Sequence, residues 1–245
     1  MTQSAGKATA SRRWHAVLCA VVAAALVLQL VLILTGGADA TTGRTVERLS
    51  TGTRLVRLVS YFTIESNILV LVAAATLVRR PDRDGRLWRV LRLDALLGIA
   101  ITGLVYAVVL APKVHLTGAA LWATIGLHYV APPATLAGWL LFGPRPRIDA
   151  ATVRRAFVWP VLWIAYTLLH GAVSGWYPYP FLDVAERGYA RALLNTALVL
   201  LLAAGLALLL AWGDRRLAAR DAERGEPGRA RGHRRAGVRG RTRSG

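Results

Sequence analysis

Apolar residues in this chain gather into six runs, at roughly 15–35, 57–78, 93–111, 119–142, 156–174 and 191–212. Each is close to the length of about 20 residues that a helix needs to cross the hydrocarbon layer of a bilayer. Most charged residues lie in the connections between them and at the two ends. Such a pattern does not wrap around a single water-free interior. The bilayer takes that place, and inside it a helix satisfies its own backbone donors and acceptors. The expected fold is all-α: a polytopic membrane protein, a bundle of six transmembrane helices over residues 15–213. Residues 1–14 form a short cytoplasmic N-terminus. Residues 214–245 are expected to be a disordered basic cytoplasmic tail, because Arg and Gly dominate there and aliphatic residues all but stop after Leu217.

Charge fixes the expected orientation. Of the 31 lysines and arginines, 24 fall in the N-terminus, in 79–92, in 144–155 and in the tail, and only 7 in the intervening connections. Basic residues stay on the cytoplasmic side, so the expected arrangement is N-in and C-in across a cell membrane. A formal net charge of +18 invites a nucleic-acid reading. The arginines, however, sit between and after the apolar runs, so no specific nucleic acid is expected. Anionic lipid headgroups at the tail are the natural counterpart. High Ala, Arg and Gly usage, typical of GC-rich bacterial genomes, accounts for part of the arginine. The single cysteine, Cys19, lies inside the first run and excludes an intrachain disulfide and a Cys-based zinc site.

The first run has a second reading. Ser11-Arg12-Arg13 followed by an apolar stretch and Ala38-Asp39-Ala40 is the pattern of a secretory signal with its cleavage site. Cleavage would leave five spans and an external N-terminus. The stretch exceeds the usual signal core of roughly 7–15 residues, which favours a retained first helix.

Polar side chains inside a membrane are costly and mark places where chemistry is possible. In the second run, Ser60, Thr63 and Asn67 share one helical face, Ser66 lies at its edge, and Glu65 points to another neighbour. The ordinary role of such residues is to bond the carbonyl four residues back or to join helices. Glu65 is expected to be paired or to face a wet cavity. In the fourth run, His128 stands four residues before Pro132, which has no N–H for the His128 carbonyl, so a kink is expected there. Thr63 and His128 fall at depths that a modest tilt makes equal. In the fifth run, Trp159, Trp163, Tyr166 and His170 form a stripe whose ordinary role is packing. The connection Gly175-Trp176-Tyr177-Pro178-Tyr179-Pro180-Phe181-Leu182-Asp183 suits either the headgroup level or a lid over the bundle. No metal site is expected, and H-E-x-x-H, P-loop and Rossmann patterns are absent. Gly171-Ala172-Val173-Ser174-Gly175 is one residue too long for a rhomboid-type G-x-S-G.

These residues resemble the androgen-induced-gene family of six-span membrane proteins and its bacterial relatives. The resemblance runs from the second run to the sixth. It rests on Tyr61-Phe62-Thr63, on Gly126-Leu127-His128 with Pro132, and on Gly175-Trp176 with Tyr179-Pro180-Phe181-Leu182-Asp183, preceded by Trp163 and His170. Eukaryotic members are intramembrane hydrolases of fatty acid esters of hydroxy fatty acids that use a threonine and a histidine. The resemblance implies those roles for Thr63 and His128, a membrane lipid as substrate and no cofactor. Ser66 or Asn67 is the expected oxyanion donor, with Glu65, Tyr129, His170, Trp176 and Asp183 in support. Ile64-Glu65-Ser66-Asn67 and the basic tail depart from the eukaryotic pattern. The alternative from another class is a non-catalytic membrane protein, either a lipid-binding regulator or a haem carrier ligated by His128 and His170.

Overall fold

The computed structural model describes residues 2–225, with side chains from residue 6 to residue 223. Helix α1 (Thr2–Leu34) is the first span, and a short amphipathic helix α2 (Thr51–Ser60) precedes α3 (Phe62–Arg79). The third span joins α4 (Arg86–Val105) to a wide π-helical turn at Tyr106–Leu110. The fourth is α5 (Gly118–Thr124), a second π turn at Ile125–Val130, and α6 (Ala131–Phe142). The fifth is α7 (Ala150–Ala156) with α8 (Val158–Ser174), and the sixth is α9 (Val184–Gly225). Six stretches are long and apolar enough to cross a membrane: Gly6–Leu34, Phe62–Arg79, Arg86–Lys113, Gly118–Phe142, Ala150–Ser174 and Val184–Glu223. The protein is an all-α, multi-pass membrane protein, and its outward-facing valines and leucines, such as Val17, Leu169, Val173 and Leu201, face lipid.

α4 is the central post. It packs against α3, α6, α7 and α9, and Leu93, Ala95, Leu97 and Ile99 are almost wholly buried. α1 lies across α3, α5 and α6, while α8 and α9 barely touch each other. The turn at 35–50 is built onto α1. Asp39 Oδ2 accepts from Gln29 Nε2 at 3.1 Å, and the Ala40 N–H donates to Gln29 Oε1 at 3.0 Å. Asp39 and Ala40 are both buried.

Four boundaries differ from the sequence reading. Run 57–78 is two helices, because Tyr61 is extended (φ −74°, ψ 123°) and separates Ser60 from the face that carries Thr63. α2 is thereby free to lie at the end of the bundle, where Arg54 donates to the last carbonyls of α1, Ile33 and Leu34. The third span begins at Arg86 rather than near 93 and brings Arg92 and Asp94 inside. Arg92 donates to the Gly143 carbonyl, which makes the polar start of the helix tolerable. The fifth span is helical from Ala150, with an interruption at Phe157 three residues before Pro160, whose ring cannot donate to the turn behind it. The sixth helix does not stop near Trp212. Asp214 is fully buried and α9 continues to Gly225, so the expected tail contributes helix at its start. The rest of the expected disordered tail, 226–245, lies outside the described residues.

Candidate active site

The Pro132–Pro133 pair removes two helical donors in succession. The fourth span answers with the π turn Ile125–Val130, in which the Ala131 N–H reaches back to the Gly126 carbonyl. The expected kink is thus a widened turn, and His128 stands on it. Across from it, Gly103 of α4 lets Pro132 close in, since a Cβ at 103 would lie 2.9 Å from the Pro132 ring. This approach brings the other π turn alongside, and Tyr106 stacks on the His128 imidazole with centroids 3.9 Å apart and planes at 26°.

Thr63, one residue into α3, meets that imidazole. Its Oγ1 lies 3.4 Å from His128 Nε2. A third group completes the contact. The Tyr179 hydroxyl is 3.2 Å from Thr63 Oγ1, and it accepts the Thr63 N–H at 3.2 Å. Thr63 and His128 are each 3% exposed and Tyr179 is 5% exposed. Among the described residues, His128 Nδ1 is buried without a hydrogen-bond partner. A proton on that nitrogen leaves the Nε2 lone pair for the threonine hydroxyl. Burial pushes the Tyr179 phenol up from its ordinary range, so it is a protonated donor.

Tyr179 arrives by a docked connection. Residues 175–183 fold back over the bundle and bury Tyr177, Tyr179 and Leu182. Tyr177 seats on Gly171, where any Cβ would penetrate its ring. Tyr179 is held by the rings of Tyr61, Trp163 and Phe181 at 5.7, 6.0 and 5.3 Å. Beside the trio lies a cavity of about 50 Å³ with Thr63 and Tyr179 in its wall. The rest of its lining is nearly all apolar, including Ile101, Trp163, Phe181, Val199 and Ala203.

The other residues singled out in the sequence are spread around this centre. Asn67 is fully buried and donates its amide to the Thr63 and Leu127 carbonyls at 2.9 and 3.3 Å, which ties α3 to the π turn and commits both N–H groups. Ser66 faces Gly98 of α4. Glu65 is paired: Trp159 Nε1 donates to its Oε2 at 2.7 Å. The fifth-span stripe packs as a seam, with Trp163 Nε1 donating to the Ser60 carbonyl at 3.0 Å and Tyr166 OH 2.6 Å from Ser60 Oγ. Tyr129 is half exposed and meets the edge of Tyr106. His170 stacks on Tyr166 and meets Trp176, whose indole lies 4.8 Å beneath the Arg57 guanidinium. Asp183 accepts the Ala185 and Glu186 N–H groups and so caps the first turn of α9.

A haem does not fit the two histidines. His128 has Thr63 at Nε2 and Tyr106 across its ring, His170 is held between Tyr166 and Trp176, and neither lines the cavity. Among the described residues no cluster of three or more His, Cys, Asp and Glu is arranged to hold a metal ion.

Sequence reasoning missed Tyr106 and Tyr179 as neighbours of the pair, and Asp39 as a buried carboxylate on the same end of the bundle. Asp39 Oδ1 accepts from the Thr41 and Thr42 N–H groups and from the Thr42 hydroxyl, which lies 3.4 Å from Tyr61 OH. Burial still raises its pKa above the ordinary carboxylate range. Its one sequence signal, Ala38-Asp39-Ala40, also reads as a cleavage site. No family model matches the chain, and neither a curated protein nor a solved structure matches it.

Proposed function

We propose that the protein is an intramembrane hydrolase of lipid esters, with Thr63 as nucleophile and His128 as general base. The observation that carries this reading is a threonine hydroxyl set between an imidazole nitrogen and a phenol on the wall of an apolar cavity, within helices that span a membrane. A weak nucleophile needs a base in reach and a reacting group delivered to it, and a lipid acyl chain is what an apolar wall favours. The resemblance of Tyr61-Phe62-Thr63, Gly126-Leu127-His128 and the 175–183 segment to the androgen-induced-gene family supports the same roles. It also suggests fatty acid esters of hydroxy fatty acids as the substrate class.

The steps balance as acyl transfer. Thr63 Oγ bonds to the ester carbonyl carbon while its proton passes to His128 Nε2, and the carbonyl electron pair moves onto oxygen. Collapse breaks the bond to the leaving alkoxide, which takes the proton from His128. Water then adds to the acyl-threonine with His128 again as base, releasing the fatty acid and restoring Thr63. The experiment is hydrolysis of a long-chain ester of a hydroxy fatty acid by the purified protein in liposomes, together with fluorophosphonate labelling. Expected are turnover and a label on Thr63. A wild type that is inert and unlabelled moves the function to lipid binding in the same cavity.

The distribution of arginine orients the molecule in this reading. The N-terminus, 79–86, 142–150 and the end of α9 share one face, joined by contacts such as Trp14 with Phe142, Arg147 with Asp84 and Arg145 with Asp221. That face is the cytoplasmic one, which puts Thr63 in the opposite half of the bilayer. Reporters fused after Arg80 and Arg147 should read cytoplasmic, and those near Arg48, Lys113 and Asp183 external. The reverse result would overturn the orientation and leave the chemistry untouched.

A further inference from the structure

We infer that Tyr179 is the oxyanion donor of this site, a catalytic residue that the connection between the fifth and sixth spans delivers to the second. The inference rests on the threonine hydrolase reading above. A developing oxyanion in an apolar cavity needs a donor already in place, because the lining side chains offer it almost none. The donors expected from the sequence are not at hand. Both N–H groups of Asn67 are committed to carbonyls, and Ser66 Oγ lies against α4. The Thr63 N–H is spent on the phenol oxygen.

That bond decides what the phenol does. Its oxygen accepts from the Thr63 backbone, so its own hydrogen points away from that N–H, toward Thr63 Oγ or into the cavity that Tyr179 lines. An ester carbonyl carbon within bonding reach of Thr63 Oγ puts its oxygen beside the same phenol. The hydrogen then turns from Oγ to the carbonyl oxygen as charge builds there, while the Thr63 proton leaves in the other direction, to His128 Nε2. Donor and base thus act on opposite sides of one hydroxyl. The surrounding rings of Tyr61, Trp163 and Phe181 keep the phenol from following solvent or substrate, which is the rigidity such a donor requires.

The test is Tyr179→Phe, assayed on two substrates that differ in one atom: an oxygen ester and its thionoester, whose sulfur accepts hydrogen bonds poorly. Removing one oxyanion donor costs about a hundredfold or more in kcat. The expected result is that loss on the oxygen ester, with KM and the thermal melt within twofold and a few degrees of wild type, and a loss of less than about fivefold on the thionoester. Equal losses on both substrates would mean that the phenol only positions the 175–183 segment, and full activity on the oxygen ester would mean that it does nothing. Either outcome overturns the proposal. Should Tyr179→Phe fold poorly, the wild-type ratio of oxygen ester to thionoester decides alone, because a ratio near one excludes a strong oxyanion donor. Thr63→Val, run in parallel, separates the two readings. If it remains active the nucleophile assignment fails, whatever Tyr179 does.

Discussion

The two ends of the bundle solve the same problem, polar groups at the edge of a membrane, in opposite ways. At the arginine-rich end, charges meet charges and helix ends meet caps. Arg89 and Asp84 pair through two bonds at 2.7 and 2.9 Å, and Arg145 donates to the Trp139 and Leu140 carbonyls that close α6. Asp214 collects the Arg147 and Ile148 N–H groups. At the other end there are few ion pairs and many hydroxyls. The backbone departs from α-helix at Tyr61, Tyr106–Leu110, Ile125–Val130 and Gly188. Paired charges and capped helix ends make an anchor; widened turns and neutral hydroxyls shape the other end. The arginine-rich end has its own break at Phe157, but both π turns and the break at Tyr61 lie beside Thr63, His128 and Tyr179.

The comparison is sharpened most by the pair itself. Thr63→Val and His128→Ala should each lower ester hydrolysis by about a thousandfold or more, and the double variant should be hardly worse than either, since residues that act as a unit are non-additive. Thr63→Ser should keep part of the rate because the hydroxyl survives. Additive losses in steady-state kinetics would separate the two residues. Next in size is Gly171→Val. A side chain there displaces Tyr177, and with it the segment that presents Tyr179, so kcat should fall about tenfold or more and the fold should lose about 1–3 kcal/mol of stability. An unchanged rate would show that the segment docks without serving the site.

Asp214→Ala probes the opposite end. Two backbone N–H groups, one buried and one half-buried, lose their acceptor, at a cost of about 1–3 kcal/mol. The thermal midpoint should drop while kcat of the folded protein stays level. A fall in kcat would break the division between anchor and site. The smallest effect is expected at Glu65. Glu65→Gln keeps an acceptor for Trp159 and should melt like wild type, whereas Glu65→Leu orphans the indole N–H and should cost about 1 kcal/mol. Equal melting curves for both would show that the bond contributes nothing.

The anchor end was partly legible in the sequence and the site end only in outline. Six spans follow from runs of Leu, Val and Ala, because hydropathy averages over about 20 residues and tolerates a stray Arg92. Thr63 and His128 stand out because polar residues are rare at such depth. The break at Tyr61 carries no proline or glycine to announce it. The π turn at 125–130 follows from Pro132 and Pro133 only once the helix chooses to widen instead of bending. Tyr179 lies 116 residues from Thr63, and nothing local to either residue encodes that contact. Asp214 looked like the first residue of a tail because its partners, the N–H groups of Arg147 and Ile148, have no side-chain signature.

The docking of the 175–183 segment bears on the order in which the molecule is made. Thr63 enters the membrane with the second span and His128 with the fourth, but the phenol that touches Thr63 is translated only after the fifth. A nascent chain halted before residue 179 carries both Thr63 and His128 and lacks the hydroxyl between cavity and threonine. Its α4 face, later covered by α9, is still open to lipid. A chain assembled this way meets the lipids of the membrane it is inserting into for most of its synthesis, and its candidate site becomes whole only when the last hairpin closes.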